Sequence, residues 1–539
     1  MHILNQIKWK GLVSFDKINK KMSQENIYQI VEEKFSLAIK NFENNSIKEA
    51  QILFKEILAI NPNHAESYYN LGLISQRLRE FNKSKKFYKK ATEIKFDYID
   101  AHNNLGLIFR ELNDLNSAKH SYQKAINIDP NCLMAIFNLA IIFRELGEFH
   151  DAIKCYKKVI TISPNFIKAH NNIGNVFKKM GEDDKAISHF ENALKLNPNS
   201  IEAQINISNI YISQLDNINA AVQSSYKALK MFQKKITLDD KTILLYRLKH
   251  DLQQANYLSS NNYKIEGIKE FIKVGNEILK RDENKEENNN SYKKITLINN
   301  EVNSLLPFYK EHYIYQTQNI SEGCINPSKN WKDIEDEYFN SSKQIIYIDN
   351  FLSEKAIIEL QKFCLLSKIW VEERRNKYLG SFSDKGFISP LHLKIAMELK
   401  KKLPKLFGKH RLGRFWGFKY DSTLGKGINI HADFALVNLN FWITPDIFNN
   451  DKNRGGLKVY DIPAPENWTF QKYNMNADEI YKLLKKNKAN CVNVPYKFNR
   501  AVLFNSDYFH ETDQINFKDE YEARRINITY LFGDRLFKS

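Results

Sequence analysis

Cysteine is scarce in this chain and never paired. The five residues, Cys132, Cys155, Cys324, Cys364 and Cys491, are scattered and form no Cys-x-x-Cys motif. That argues against a disulfide framework and a zinc ribbon. It suits a reducing compartment, so a cytoplasmic location is expected. Also missing is any run of eighteen or more apolar residues, so no membrane-spanning helix is expected. The opening segment, "MHILNQIKWKGLVSFDKINKKM", lacks an uninterrupted apolar stretch and a small-residue cleavage site, and does not read as a signal peptide. Met22 precedes a natural helix start, "SQENIYQIVEEKF", so the first 21 residues read as a dispensable arm. Long basic blocks are absent too. The net charge is +17, from 80 Lys and Arg against 63 Asp and Glu, but the excess is spread along the chain. Nucleic acid is therefore not expected as a partner. What remains is a chain of 539 residues, 43% hydrophobic and 13% aromatic, which is too long for one core and suits two or three domains.

The first half repeats itself. "NLG" at Asn70 returns as "NLG" at Asn104, "NLA" at Asn138, "NIG" at Asn172 and "NIS" at Asn206, each step being 34 residues. A small residue recurs at Ala38, Gly72, Gly106, Ala140, Gly174 and Ser208, where two helices must approach closely. Phe109, Phe143, Phe177 and Tyr211 follow three residues later on one helical face. Ala118, Ala152 and Ala186 mark second helices, and Pro62, Pro130, Pro164 and Pro198 end them. Over residues 27–235 the chain resembles the tetratricopeptide repeat family, whose helix-turn-helix units stack into an all-α solenoid.

A solenoid has a concave face that binds extended partners, so a protein or peptide partner is expected. Asn70, Asn104, Asn138, Asn172 and Asn206 form a ladder at one repeat position. Each amide carries a donor and an acceptor and can bond a peptide backbone without reading its side chains. The plain alternative is that these amides serve packing between repeats. His102 and His170 stand at equivalent repeat positions and read as packing residues, not ligands.

Residues 236–280 keep apolar spacing of three and four and read as a helical cap on the solenoid. "RDENKEENNNSYKK" at 281–294 has no apolar face and reads as a linker. Residues 295–340 carry apolar runs without an interpretable motif. From "QIIYIDNFLSEKAIIELQKF" the texture changes: a short strand, then a helix with Ser353 at the N-cap position. Short apolar runs then alternate with turns, which suggests an antiparallel sandwich or jelly roll. Gly455 and Gly456 suit a turn or bulge where backbones approach closely.

"GINIHADFALVNLNFW" at 427–442 reads as a buried strand with His431 and Asp433 on one face of its start. His510 stands in "NRAVLFNSDYFHET", just after another apolar strand. Two histidines and a carboxylate, the first pair spaced His-x-Asp, form the donor set that suits ferrous iron and leaves three positions open. Those positions can hold an oxo-acid and dioxygen (O2) together. A cation must then hold the far carboxylate, and "YEARRINITYLFG" supplies Arg524 and Arg525. Only one can face inward. Arg525 shares its face with Asn527 and Thr529, and Arg524 shares its face with Ile526, Ile528 and Tyr530. A guanidinium grips a carboxylate in a two-pronged fork, which lysine cannot match.

Residues 343–539 resemble the iron(II)- and 2-oxoglutarate-dependent oxygenases, built on a double-stranded β-helix jelly roll. The entry "IYIDNFLSEKAIIELQKF" is similar to the prolyl-hydroxylase-like branch. The resemblance implies Fe(II) held by His431, Asp433 and His510. It implies 2-oxoglutarate clamped by Arg525, an arginine followed two positions later by a small polar residue, with help from Tyr420. Asn438 and Asn440 either contact co-substrate or satisfy each other, with the second role equally open to both. Asp507 and Glu511 either orient His510 or are solvated acids. Trp416, Phe441 and Trp442 read as core. Two departures stand out. The branch usually clamps with lysine, and the stretch from Asp433 to His510 holds a partly helical insertion, "NWTFQKYNMNADEIYKLLKKNKANC", that suits a lid or substrate loop.

The expected organisation is an arm (1–26), a tetratricopeptide solenoid (27–235), a helical cap (236–280), a linker and connecting region (281–342) and an oxygenase jelly roll with flanking helices (343–539). The expected function is hydroxylation of a protein or peptide recruited by the repeats. The alternatives are a non-catalytic repeat adaptor with a structural jelly roll, an oxygenase for a small molecule or glycan, and a zinc hydrolase. The paired arginines argue against the last, since a hydrolase needs no clamp for an oxo-acid.

Overall fold

A computed structural model describes residues 24–234, 238, 241–283, 293–374, 378–420 and 427–534. Most of the expected N-terminal arm, and 284–292 of the expected linker, lie outside these residues. The chain divides into two compact units, Met1–Leu196 and Asn197–Ser539. The division falls inside the repeat array, and not at 235 where the sequence period stops.

The first unit is all helical: α1 (Gln24–Glu43), α2 (Ile47–Ile60), α3 (Ala65–Arg77), α4 (Phe81–Ile94), α5 (Ile99–Glu111), α6 (Leu115–Ile128), α7 (Leu133–Glu145), α8 (Phe149–Ile162), α9 (Ile167–Lys179) and α10 (Asp183–Leu196). The recurring small residue has a direct cause. An aromatic ring from the second helix of each pair lies against it. A Cβ on Gly72 would sit 2.5 Å from the Tyr88 ring, on Gly106 2.7 Å from Tyr122, and on Gly174 2.6 Å from Phe190. The rings are fully buried and join Ala91, Ala118 and Ala125 in the interior.

The second unit begins with the last repeat pair, α11 (Ile201–Gln214) and α12 (Ile218–Lys234). Ser225 Oγ donates to the Ser383 carbonyl at 2.6 Å and accepts from the Gly386 amide at 2.9 Å. The Tyr226 hydroxyl donates to the Ile388 carbonyl. The strand β1 (Thr242–Leu244) precedes α13 (Leu245–Ser260) and α14 (Ile268–Glu283), and β2 (Lys294–Thr296), paired with β1, precedes α15 (Asn299–Lys310). This region was expected to cap the solenoid. Instead Leu248, Leu252, Phe271, Ile278, Leu305 and Phe308 build a core of their own, which also takes in Leu366. Gln233 of α12 and Gln254 of α13 donate to the Lys368 and Ser367 carbonyls. The segment is thus wedged between the last repeat helix and the chain beyond it.

Three further helices follow, α16 (Trp331–Asn340), α17 (Glu354–Leu366) and α18 (Pro390–Lys402). Ser353 occupies the N-cap position of α17, but its hydroxyl donates to the Gly323 carbonyl and makes no cap bond. The strands are β3 (Ile345–Ile348), β4 (Glu372–Arg374), β5 (Tyr378–Phe382), β6 (Leu412–Tyr420), β7 (Val437–Trp442), β8 (Leu457–Pro463), β9 (Cys491–Val494), β10 (Ala501–Asn505), β11 (Tyr508–Thr512) and β12 (Ile526–Phe532). They form two antiparallel sheets, ordered β3-β10-β7-β12-β6-β5-β4 and β11-β8-β9. One face of the large sheet carries Leu439, Phe441, Ile528 and Tyr530, packed with Leu360, Phe363, Leu391 and Ile395 of α17 and α18. The other face carries Trp416, Phe418, Trp442 and Leu531 against Leu457, Val459 and Val494 of the small sheet. The period-two alternation of a strand divides these sets. Gly456 permits the crossing of the two backbones, since a Cβ there would lie 1.9 Å from the Val494 carbonyl oxygen. The insertion between β8 and β9 contains α19 (Phe470–Met475) and α20 (Ala477–Lys486).

Candidate metal centre

The stretch 427–442 is not one strand. His431 bridges to His510 beside the small sheet, with N–H···O distances of 3.0 and 2.8 Å, whereas β7 pairs inside the large sheet. The chain must cross from one sheet to the other between residues 431 and 437, which breaks the ladder. His510 follows the apolar strand β10, as expected, and itself lies within the next strand, β11.

The crossing brings the three expected ligands together. One ligand atom from each of His431, Asp433 and His510 lies within 4.8 Å of the others. His431 Nε2 is 3.8 Å from Asp433 Oδ1, and His510 Nε2 is 3.4 Å from Asp433 Oδ2. Each imidazole uses Nδ1 on a backbone carbonyl two residues earlier: Asn429 at 2.8 Å and Tyr508 at 3.1 Å. With Nδ1 as donor, Nε2 carries the free lone pair. Burial, reinforced by His510, pushes the His431 imidazole down to about 4, so it is neutral near pH 7. Burial works against ionisation of Asp433, but hydrogen bonding and attraction from the histidines, with Asn438, hold its carboxyl below the usual carboxylate range. Asn438 Nδ2 donates to Asp433 Oδ2 at 2.6 Å.

The two open alternatives for Asn438 and Asn440 meet in one network. Asn440 donates to Asn438 and accepts from Asn527 at 2.9 Å and from Thr529 at 2.6 Å. Asn440, Asn527, Thr529 and Arg525 line a narrow inner cavity of about 20 Å³ with the triad. Arg524 turns away and donates to Gln253 at 2.8 Å. Arg525 Nε donates to the Gly455 carbonyl at 2.6 Å and Nη2 to that of Gly456 at 3.4 Å, while Nη1 is buried with no partner among the described residues. Tyr420 is beside Arg525, not in the cavity wall: the guanidinium carbon is 4.9 Å from its ring centre. Burial raises the Tyr420 hydroxyl and Arg525 opposes that shift.

The Tyr508 carbonyl takes His510 Nδ1, the atom that Glu511 was expected to orient. Glu511 is held instead by the hydroxyls of Tyr460 and Tyr481, each at 2.7 Å. Trp416 is core, as expected, and it also lines the inner cavity and a wider outer groove of about 860 Å³ that meets it at His431 and Asp433. Phe470, Asn474 and Met475 of the insertion, expected to form a lid or substrate loop, line this groove, as does Phe434, which no sequence signal marked.

Much of the asparagine ladder bonds within the repeats. Asn70 Nδ2 bonds its own helix at the Glu66 carbonyl. Asn104 donates to the Tyr69 hydroxyl, and Asn138 to Asn103 of the preceding repeat. Asn172 accepts from Arg144 at 3.4 Å. Asn206 is half-buried on α11. His102 Nε2 donates to the Phe96 carbonyl at 2.9 Å, and the ring packs as expected.

Family models described as tetratricopeptide repeat match residues 65–98, 99–132 and 167–200, and one described as TPR repeat matches 140–181. The chain contains tetratricopeptide repeats. These matches end at residue 200, before the triad. No curated protein matches the chain. Solved structures similar to it include MamA, at 24% identity over 32% of this chain and 93% of that one, with a TM-score of 0.30. Another is YrrB, described as a TPR protein with an unusual peptide-binding site, at 19% identity, 33% and 95% coverage and a TM-score of 0.30. PilF of Pseudomonas aeruginosa is a third, at 14% identity, 39% and 95% coverage and a TM-score of 0.34. No described helix is long and apolar enough to cross a membrane.

Proposed function

We propose that the C-terminal part of the chain is an iron(II)- and 2-oxoglutarate-dependent oxygenase acting on a protein or peptide brought to it by the repeats. The observation that carries this reading is the triad itself: two Nε2 lone pairs and one carboxylate converge, and an arginine with an unused N–H lies in the same cavity. Strand order supports a double-stranded β-helix. Along the chain, β6, residues 428–431, β7, β8, β10, β11 and β12 alternate between the large sheet and the small one.

The residues fit the metal. Neutral imidazoles and an ionised carboxylate on one side of a site, with other positions open, suit ferrous iron. His431, Asp433 and His510 would hold it, and Asn438 fixes the Asp433 carboxylate. When bound, the metal and 2-oxoglutarate supply oxidation of a C–H bond to C–OH by dioxygen, paired with conversion of the oxo-acid to succinate and carbon dioxide. Arg525 would bind the far carboxylate through Nη1, while Nε and Nη2 stay on the Gly455 and Gly456 carbonyls. Its aromatic cage of Tyr420, Trp442 and Tyr496 keeps water from that contact. The Asn440–Asn527–Thr529 network orients polar atoms along the co-substrate's path.

The inner cavity, about 20 Å³, has room for about one water. A five-carbon dicarboxylate therefore needs side chains to move, and Trp416, Phe418 and Ile428 stand on the boundary between cavity and groove. This narrowness is the specific observation that favours the second reading, a non-catalytic repeat adaptor. Tetratricopeptide repeats generally bind proteins or peptides, and that role holds under either reading.

The test loads anaerobic protein with iron(II) and 2-oxoglutarate, admits oxygen and quantifies succinate, beside His431→Ala. Succinate from the parent protein alone supports the oxygenase. Binding of both without succinate points to turnover gated by substrate. Binding of neither refutes the oxygenase and leaves the adaptor.

A further inference from the structure

The insertion between β8 and β9 does more than border the groove. Each backbone unit of the His-x-Asp segment is tied to a different element. His431 bridges to His510, the Asp433 amide donates to the Ser506 carbonyl at 3.3 Å, and Ala432 is held by α19 alone. The Ala432 amide donates to the Tyr473 carbonyl at 3.0 Å. Its carbonyl accepts from Asn474 Nδ2 at 3.1 Å, across 42 residues of sequence. Ala432 is fully buried and stands between the two ligands, so its two peptide planes set the angle between them.

A single apolar cluster backs this contact. Ile430 and Ala432 flank His431, and Phe509 precedes His510. All three pack with Tyr473 of α19 and with Ile480 and Leu484 of α20. The insertion therefore braces both ligand segments at once. Phe470, Asn474 and Met475 also line the outer groove with His431 and Asp433. The surface a substrate would touch and the brace behind the ligands are the same short helix.

We propose that Asn474 is a positioning residue of the metal centre. Through its bond to the Ala432 carbonyl, it holds His431 and Asp433 in the geometry that binds the metal. This rests on the oxygenase reading above, and specifically on the triad being a metal site. Groups that orient ligands without touching the metal commonly change affinity by about 10- to 100-fold when removed.

The test uses the full chain and Co(II) alone, followed by its visible d–d absorption. Asn474→Leu keeps the size of the side chain and removes the donor. It is compared with Asn476→Ala, which removes the cap that accepts from the Glu479 amide of α20 without touching Ala432. Expected is Co(II) binding by Asn474→Leu weakened about tenfold or more with a changed band shape, while Asn476→Ala stays within about threefold of the parent. Unchanged affinity and spectrum in Asn474→Leu overturn the proposal, and so does equal weakening in both variants, which marks a general loosening. Should Asn474→Leu fail to fold, Asn474→Ala removes the same donor without added bulk and is read by the same criteria. If the parent protein binds no Co(II), the metal reading fails and takes this inference with it; a defect confined to the variant cannot be mistaken for that result.

Discussion

Replacing Arg525 by methionine separates stability from binding. Arg525 is 1% exposed and forms no ion pair among the described residues. A buried charge without a counter-charge costs several kcal/mol even after relaxation. Against that stand two carbonyls, Gly455 and Gly456, whose loss of a donor costs about 1 kcal/mol each. Arg525→Met is thus expected to leave the unloaded protein as stable as the parent, or more stable by about 1–3 kcal/mol. Binding moves the other way. A charge-assisted fork to a carboxylate contributes about 1.5–3 kcal/mol, so affinity for 2-oxoglutarate falls by about 10- to 150-fold. The assay is thermal unfolding with Mn(II) present, with and without 2-oxoglutarate at 100 times the parent's dissociation constant. The parent gains about 2.7 kcal/mol under those conditions. A variant 100-fold weaker gains about 0.4 kcal/mol. Two results would refute the reasoning: a variant that melts far below the parent without ligand, or one that keeps the parent's full ligand shift.

Other perturbations test the scaffold. Gly72→Ala forces a Cβ to within 2.5 Å of the Tyr88 ring and is expected to cost about 1–3 kcal/mol, read as a lower urea midpoint by circular dichroism. Ser225→Ala removes the donor to the Ser383 carbonyl and the acceptor of the Gly386 amide, both buried, and is expected to cost about 1–3 kcal/mol. Amide hydrogen exchange around 383–388 should rise with it. Burial pushes the Lys368 ammonium down to about 7. Between that value and about 10.4 the unfolded chain binds the extra proton, so this residue makes stability rise with pH, by at most about 1.4 kcal/mol per unit. The stability of the parent minus that of Lys368→Met should rise as pH goes from 7.5 to about 9.5, and a constant difference would contradict that shift.

How much was legible varied with the reach of the contact. The repeat helices could be read because Gly72, Gly106 and Gly174 and the rings they face lie within one unit of sequence and recur. The triad could be read as residue types in order, since His-x-Asp and a later strand histidine are local patterns. Its surroundings could not. The Glu511 carboxylate meets two tyrosines, one from β8 and one from α20, and nothing near His510 announces either. The packing alternative for the asparagine ladder takes concrete form at Asn138, whose amide donates to Asn103 of the neighbouring repeat. Reading 427–442 as a strand failed because hydropathy reports burial and not which sheet supplies the hydrogen bonds.

The amino-acid sequence alone determined the 34-residue helical period, the lack of an apolar run of eighteen residues, and a set of two imidazoles, a carboxylate and a pair of arginines in chain order. These follow from local periodicity and side-chain chemistry. Only the tertiary structure decided which arginine faces the triad. It also turned Tyr420 into a wall behind the guanidinium, and pinned Ala432 by a helix 42 residues away. Such contacts join segments with no shared pattern. They exist because two sheets and an insertion pack on the same few buried residues, and packing is settled in three dimensions.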